Sequence, residues 1–230
     1  MKIHGLQKLT LLDFPSKTAC TVFTGGCNFR CPFCHNASLA INPQLEPTIP
    51  EEEFFSFLNK RRGILDGVAI TGGEPTINND LYEFISKIRE MGFNVKLDTN
   101  GTNPTLLKRL LDDKKVDFVA MDIKSSYENY HKAAGVNVDV EKIKESVRLV
   151  KQFPDYEFRT TVVKNLITAQ DIENIARDFK GVKAFYLQNF KDSGNLIDPN
   201  SLGESKENML LYKDILSKTI QNVQIRGLDV

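Results

Sequence analysis

Short β-branched runs alternate six times with amphipathic helical segments, and this alternation predicts a parallel α/β fold. The odd polar residues gather where those runs end, as expected where a parallel sheet presents a site. The runs lie at 19–24, 68–71, 95–98, 118–122, 157–163 and 184–188. A helix starts near Pro50. Leu81, Phe84, Ile85, Ile88 and Met91 keep helical spacing, as do Leu106, Leu107, Leu110 and Leu111 behind Pro104. Ile143, Val147 and Val150 mark a further helix. Ile172, Ile175, Ala176 and Phe179 mark another, capped by Thr168 with Asp171 in its first turn. A last helix spans 206–219, followed by a short strand at 223–226. The segment 40–50 holds three prolines and reads as an exposed loop. Right-handed crossovers join such strands, and six units are too few to close an eight-stranded barrel. The expected architecture is one domain over 1–230, a partial, open (β/α)6 TIM-like barrel.

Composition narrows the function. Thirty basic residues balance thirty acidic ones, so no global field draws the chain to nucleic acid. No leading basic-then-apolar segment and no bilayer-length apolar run appears, which makes the cytoplasm the expected location. Clustered cysteines there are metal ligands more often than disulfides. Cys20 lies inside the run 19–24 and reads as a core thiol.

The other three cysteines carry the chemistry. Cys27, Cys31 and Cys34 follow C-x3-C-x2-C within the loop 25–36, with Phe33 just before the last. Three thiolates on a short loop can hold three irons of a cubic 4Fe–4S cluster. The fourth iron then stays open, as in a catalytic rather than a structural metal site. The natural occupant is the methionine end of S-adenosylmethionine (SAM), and the natural outcome is radical chemistry. The competing reading is zinc, with His35 as fourth ligand. Adjacent residues such as Cys34 and His35 rarely point at one tetrahedral ion, and no second C-x-x-C pair exists.

The strand ends offer what SAM needs. The second run ends in Thr71-Gly72-Gly73-Glu74-Pro75, the third in Asp98-Thr99-Asn100-Gly101 and the fourth in Asp122-Ile123-Lys124. Gly72 and Gly73 allow close backbone approach, and their carbonyls with Glu74 suit the ammonium group. Lys124 suits the carboxylate. Asp98 and Asp122 suit the ribose, or together a small cation. Phe33 suits the adenine. Arg159 on the fifth run and Gln188 at the end of the sixth complete the candidate set. Each has a plainer reading: a turn at 72–75 and at 98–101, a surface pair at Asp122 and Lys124, a structural ion pair at Arg159.

These motifs together resemble the radical SAM superfamily. Cys27-x3-Cys31-x-Phe33-Cys34-His35-Asn36 is similar to the loop of glycyl-radical-enzyme activating proteins, most of all those serving anaerobic ribonucleoside-triphosphate reductase. Leu11-Leu12-Asp13-Phe14-Pro15, Thr24-Gly25-Gly26-Cys27, Thr71-Gly72-Gly73-Glu74-Pro75, Leu97-Asp98-Thr99-Asn100-Gly101 and Met121-Asp122-Ile123-Lys124 support it and span about half the chain. Ser16 departs from the family's usual glycine, and Gln188-Asn189 stands where some relatives have histidine.

The resemblance implies that Cys27, Cys31 and Cys34 hold the cluster. It places Gly72, Gly73 and Glu74 at the ammonium, with Asp98, Asp122 and Lys124 lining the pocket. It implies an external one-electron donor such as flavodoxin or ferredoxin, reductive cleavage of SAM, and removal of hydrogen from a glycine of a partner glycyl radical enzyme. One spare cysteine is too few for a second cluster. Two rivals stand beside this reading. One is a small-molecule radical enzyme resembling 7-carboxy-7-deazaguanine synthase. The other is a non-catalytic iron–sulfur electron carrier or sensor, which would normally close its cluster with a fourth cysteine.

Overall fold

The computed structural model describes residues 1–192 and 194–228, so residues 193, 229 and 230 of the expected 1–230 domain lie outside the described residues. Its strands are β1 (Ile3–Thr10), β2 (Ala19–Thr24), β3 (Gly67–Gly72), β4 (Asn94–Thr99), β5 (Phe118–Asp122), β6 (Asp155–Val162), β7 (Phe185–Asn189) and β8 (Val223–Arg226). They form one sheet in chain order. β1 pairs antiparallel with β2, and every later neighbour is parallel. The helices are α1 (Ala37–Ile41), α2 (Glu51–Asn59), α3 (Leu81–Glu90), α4 (Pro104–Asp112), α5 (Tyr130–Ala134), α6 (Val140–Val150), α7 (Ala169–Asp178) and α8 (Lys206–Ser217). Six strand–helix units thus run from β2 to α8, and β8 adds a seventh parallel strand. This is the expected open partial barrel.

The strand period of two divides the sheet into unlike faces. Val22, Ile70, Leu97, Val119, Met121, Phe158, Val162 and Leu187 are fully buried against the helical layer. The alternate positions Lys96, Asp98, Asp122, Glu157, Arg159 and Arg226 are charged and interact with one another. Helix starts follow the local chemistry. Pro104 opens α4, with the Asn103 side chain accepting from the Leu106 amide at 3.1 Å. Thr168 and Asp171 form the expected capping box of α7.

Two segments differ from expectation. β1 is a partly polar, partly exposed edge strand that the β-branched pattern did not mark. The 40–50 loop is not wholly irregular. Residues 37–41 are helical, 43–45 form a 3-10 turn, and the Ile49 amide donates to the Ile3 carbonyl at 2.7 Å. No described helix is long and apolar enough to cross a membrane.

Candidate active site

The C-terminal ends of the strands open into a cavity of about 910 Å³, mouth included. Its walls hold Cys27, Cys31 and Cys34 together with Phe33, Gly72, Gly73, Glu74, Asp98, Asp122, Lys124, Arg159 and Gln188. All twelve sequence-derived site residues therefore meet at one place. Five separate strand ends and the cysteine loop contribute them.

The cysteine loop is built into the sheet by its backbone. The Gly73 amide donates to Thr24 O and the Glu74 amide to Gly26 O, both at 2.8 Å. A Cβ on Gly73 would lie 1.9 Å from the Gly26 carbonyl oxygen, so only glycine fits. The Gly72–Gly73 pair thus serves the approach of two backbone turns, besides bordering the cavity. Asn36 donates to the Gly72 carbonyl at 3.1 Å. On the far side the Arg30 amide donates to Ala134 O at 2.8 Å, and Gly135, with φ of 68°, packs against the Arg30 carbonyl. Phe29 meets the ring of fully buried Tyr130 edge-on at 6.4 Å. The segment 127–135 therefore clamps the loop, a role no sequence pattern announced.

Three cysteines on the wall of one cavity fit the thiolate donor set of a cubic cluster with one open iron. Among the described residues, no three His, Cys, Asp or Glu side chains converge as a cage for one ion. One zinc needs every sulfur about 2.3 Å from a single point, whereas a cubic cluster spreads three thiolates over three irons. His35 does not serve as a fourth ligand here. Its ring stacks on Phe190 at 5.3 Å, and its Nε2 bonds the Lys191 carbonyl at 2.8 Å. Burial pushes the Cys27 thiol up and Cys31 up to about 11, while the positive Lys124 pulls both down. An occupying cation would favour the thiolates in the same direction as Lys124.

Glu74 is buried and heavily committed. It accepts from the Thr76 amide at 3.0 Å, Thr99 Oγ1 at 2.8 Å, the Asn100 amide at 2.6 Å, and the Thr76 hydroxyl. Burial raises its carboxyl pKa, and these donors oppose the rise. Its geometry ties the end of β3 to the end of β4.

Arg159 bridges the two aspartates. Its Nε donates to Asp122 Oδ1 at 2.8 Å and its Nη1 to Asp98 Oδ2 at 3.2 Å. The structural ion-pair reading of Arg159 therefore holds, and its guanidinium takes the place of the small cation considered between Asp98 and Asp122. Lys96 bonds Asp98, and Lys124 Nζ lies 3.1 Å from Asp122 Oδ2. Burial pushes both carboxyls up, but Arg159 and the lysines more than reverse it and hold them below the aspartate range. Burial likewise lowers Lys124, and Asp122 more than reverses that. Lys96, Glu157 and Arg226 were absent from the sequence-derived set. The alternation Lys96-x-Asp98 and Glu157-x-Arg159-x-Thr161 was the signal that could have found the first two.

Comparison with known proteins agrees with this geometry. The model of the radical SAM superfamily matches residues 21–185. A Methanocaldococcus jannaschii protein, provisionally named a glycyl-radical enzyme activating enzyme, is 32% identical over 235 residues, covering 99% of this chain and 96% of its own. A Thermococcus kodakarensis protein, provisionally named a GTP 3′,8-cyclase, is 31% identical over 145 residues, which are 62% of this chain but 47% of that protein. Among solved structures, a domain of pyruvate-formate lyase-activating enzyme from Bacteroides vulgatus superimposes with a TM-score of 0.57. It shares 17% identity, over 70% of this chain and 99% of that one, and so speaks for the fold.

Proposed function

We propose that this chain, which belongs to the radical SAM superfamily, activates a partner glycyl radical enzyme by removing a hydrogen atom from one of its glycines. The observation that carries this reading is the likeness, along nearly the full length of both chains, to the M. jannaschii protein. The likeness to the cyclase runs along less than half of that protein. We further propose anaerobic ribonucleoside-triphosphate reductase as the partner, on the motifs quoted above, and flavodoxin or ferredoxin as the electron donor.

Cys27, Cys31 and Cys34 would hold a 4Fe–4S cluster, leaving one iron for SAM. Together these groups supply one-electron chemistry able to take hydrogen from an unactivated C–H bond. The chain's own residues bind, orient and shield. Lys124 presents a cation to the ligand carboxylate. The carbonyls of the 72–73 turn would accept from its ammonium group, that of Gly72 alongside its bond from Asn36. Phe33 would offer the adenine an apolar wall, and Gln188 a polar group for the ribose. Asp98 and Asp122 act largely through their hold on Arg159 and Lys124. The walls position the reacting groups and exclude water.

The test is direct. Reduced, anaerobically reconstituted protein is incubated with SAM and the candidate reductase, and a glycyl radical is sought by electron paramagnetic resonance. A doublet on the partner supports the reading. No signal on any glycyl radical enzyme, with efficient turnover of a small molecule instead, overturns it.

A further inference from the structure

Glu157 is the buried charge that the proposed chemistry leaves without a role. It lies on the inner face of β6 and is 3% exposed. A carboxylate so placed must be paired. Two guanidinium groups are within reach. Arg226, on β8, forms a bidentate pair across β7, with Nη1 to Oε1 and Nη2 to Oε2 both at 2.9 Å. Its plane is fixed by stacking 3.6 Å over the Tyr186 ring. Arg159 Nη1 stands 3.9 Å from Glu157 Oε1, beyond hydrogen-bond distance, with its donors turned to Asp98 and Asp122.

We propose that Arg226 is a positioning residue for the cavity: by satisfying Glu157 it leaves Arg159 free to hold Asp98 and Asp122, and so leaves Lys124 available to a ligand carboxylate. Without Arg226, three carboxylates compete for Arg159, and the buried, unpaired Glu157 is the one with most to gain. Asp122, losing Arg159, then tightens the 3.1 Å hold it already has on Lys124 and competes with a ligand carboxylate for it. Charge balance points the same way. Within this ladder Lys96, Lys124, Arg159 and Arg226 face Asp98, Asp122 and Glu157, so one positive charge is left over for an anionic group. Removing Arg226 removes that surplus. Residue 226 lies on the last strand, beyond the stretch matched by the superfamily model. The proposal rests on the SAM pocket proposed above.

The experiment measures SAM affinity by calorimetry on the reconstituted protein, with circular dichroism and the thermal midpoint as fold controls. R226Q should weaken binding about tenfold or more, the loss expected when one charge-assisted contact is misdirected. The double variant E157Q/R226Q should bind within about threefold of wild type, because no buried carboxylate then competes for Arg159. E157Q alone should also bind like wild type, and it keeps the proposal testable should R226Q fail to fold. Unchanged affinity in R226Q, a double variant as weak as the single one, or a tenfold loss in E157Q would each overturn the proposal. A wild-type protein that holds its cluster yet binds no SAM would overturn the pocket assignment itself, and the proposal with it.

Discussion

The two faces of the sheet differ in what they are made of and in what they can cost. On the outer face Leu97, Met121 and Phe158 are fully buried among apolar neighbours. Each such side chain stabilises the fold by about 1.5–3 kcal/mol. On the inner face, one residue away along the same strands, Asp98, Asp122 and Arg159 form a ladder of charges. Burying charges costs desolvation energy that pairing only repays, so the ladder adds little net stability. It instead fixes the direction of each polar group at the cavity. The outer face makes the protein fold, and the inner face makes the site specific.

The sharpest way to break this division is at the cysteines. Cys27→Ser, Cys31→Ser and Cys34→Ser should each abolish incorporation of a 4Fe–4S cluster, read by visible absorbance and iron content. Cys20→Ser, at a buried position on β2, should keep the cluster. A fully loaded Cys31→Ser protein, or a stable zinc site without iron, would contradict the assignment.

A second comparison sets one residue of each face against the other. Phe158→Ala should lower unfolding stability by about 3–5 kcal/mol in denaturant titration. Lys124→Ala should change stability far less, yet weaken SAM binding by about 1.5–3 kcal/mol, roughly tenfold or more. Equal losses of stability in the two variants would erase the distinction.

Acid should probe the inner face selectively. Asp98 and Asp122 titrate lower in the folded protein than unfolded. Their stabilisation is therefore present above the unfolded aspartate value of about 3.9 and fades as pH falls below it. Glu74, raised by burial, acts with opposite sign, and its gain is complete once pH has fallen to the unfolded glutamate value of about 4.3, above this window. The thermal midpoint should fall between about pH 4 and pH 2, and less steeply in Asp122→Asn. An identical profile in that variant would detach the ladder from acid lability.

The smallest effect concerns the segment that follows the cysteine loop. Leu45 follows the cysteine loop and is 78% exposed. Under the proposed function, Leu45→Ser should slow glycyl radical formation on the partner a few-fold, while leaving uncoupled SAM cleavage and the thermal midpoint unchanged. Loss of both activities would place Leu45 in the cofactor site. Loss of neither would put docking elsewhere.

The sequence alone determined the open barrel and twelve of the residues that line its cavity. Helical spacing at Leu81, Phe84, Ile85 and Ile88, and β-branched runs such as Val68-Ala69-Ile70-Thr71, encode burial locally, within a few residues of one another. The spacing of Cys27, Cys31 and Cys34 is likewise a short-range property, as is the position of Glu74, Asp98 and Lys124 at strand ends. Only the tertiary structure decided how these residues are used. Glu74 meets donors from Thr99 and Asn100, 25 and 26 residues away. Arg159 finds Asp98 across 61 residues, and Glu157 finds Arg226 across 69. The clamp at 127–135 reaches Arg30 through a backbone hydrogen bond that leaves no trace in side-chain pattern. Periodicity reports which way a residue faces, because that is set by the local backbone. Which partner it meets there depends on sheet register and loop packing, and these exist only once the whole chain has folded.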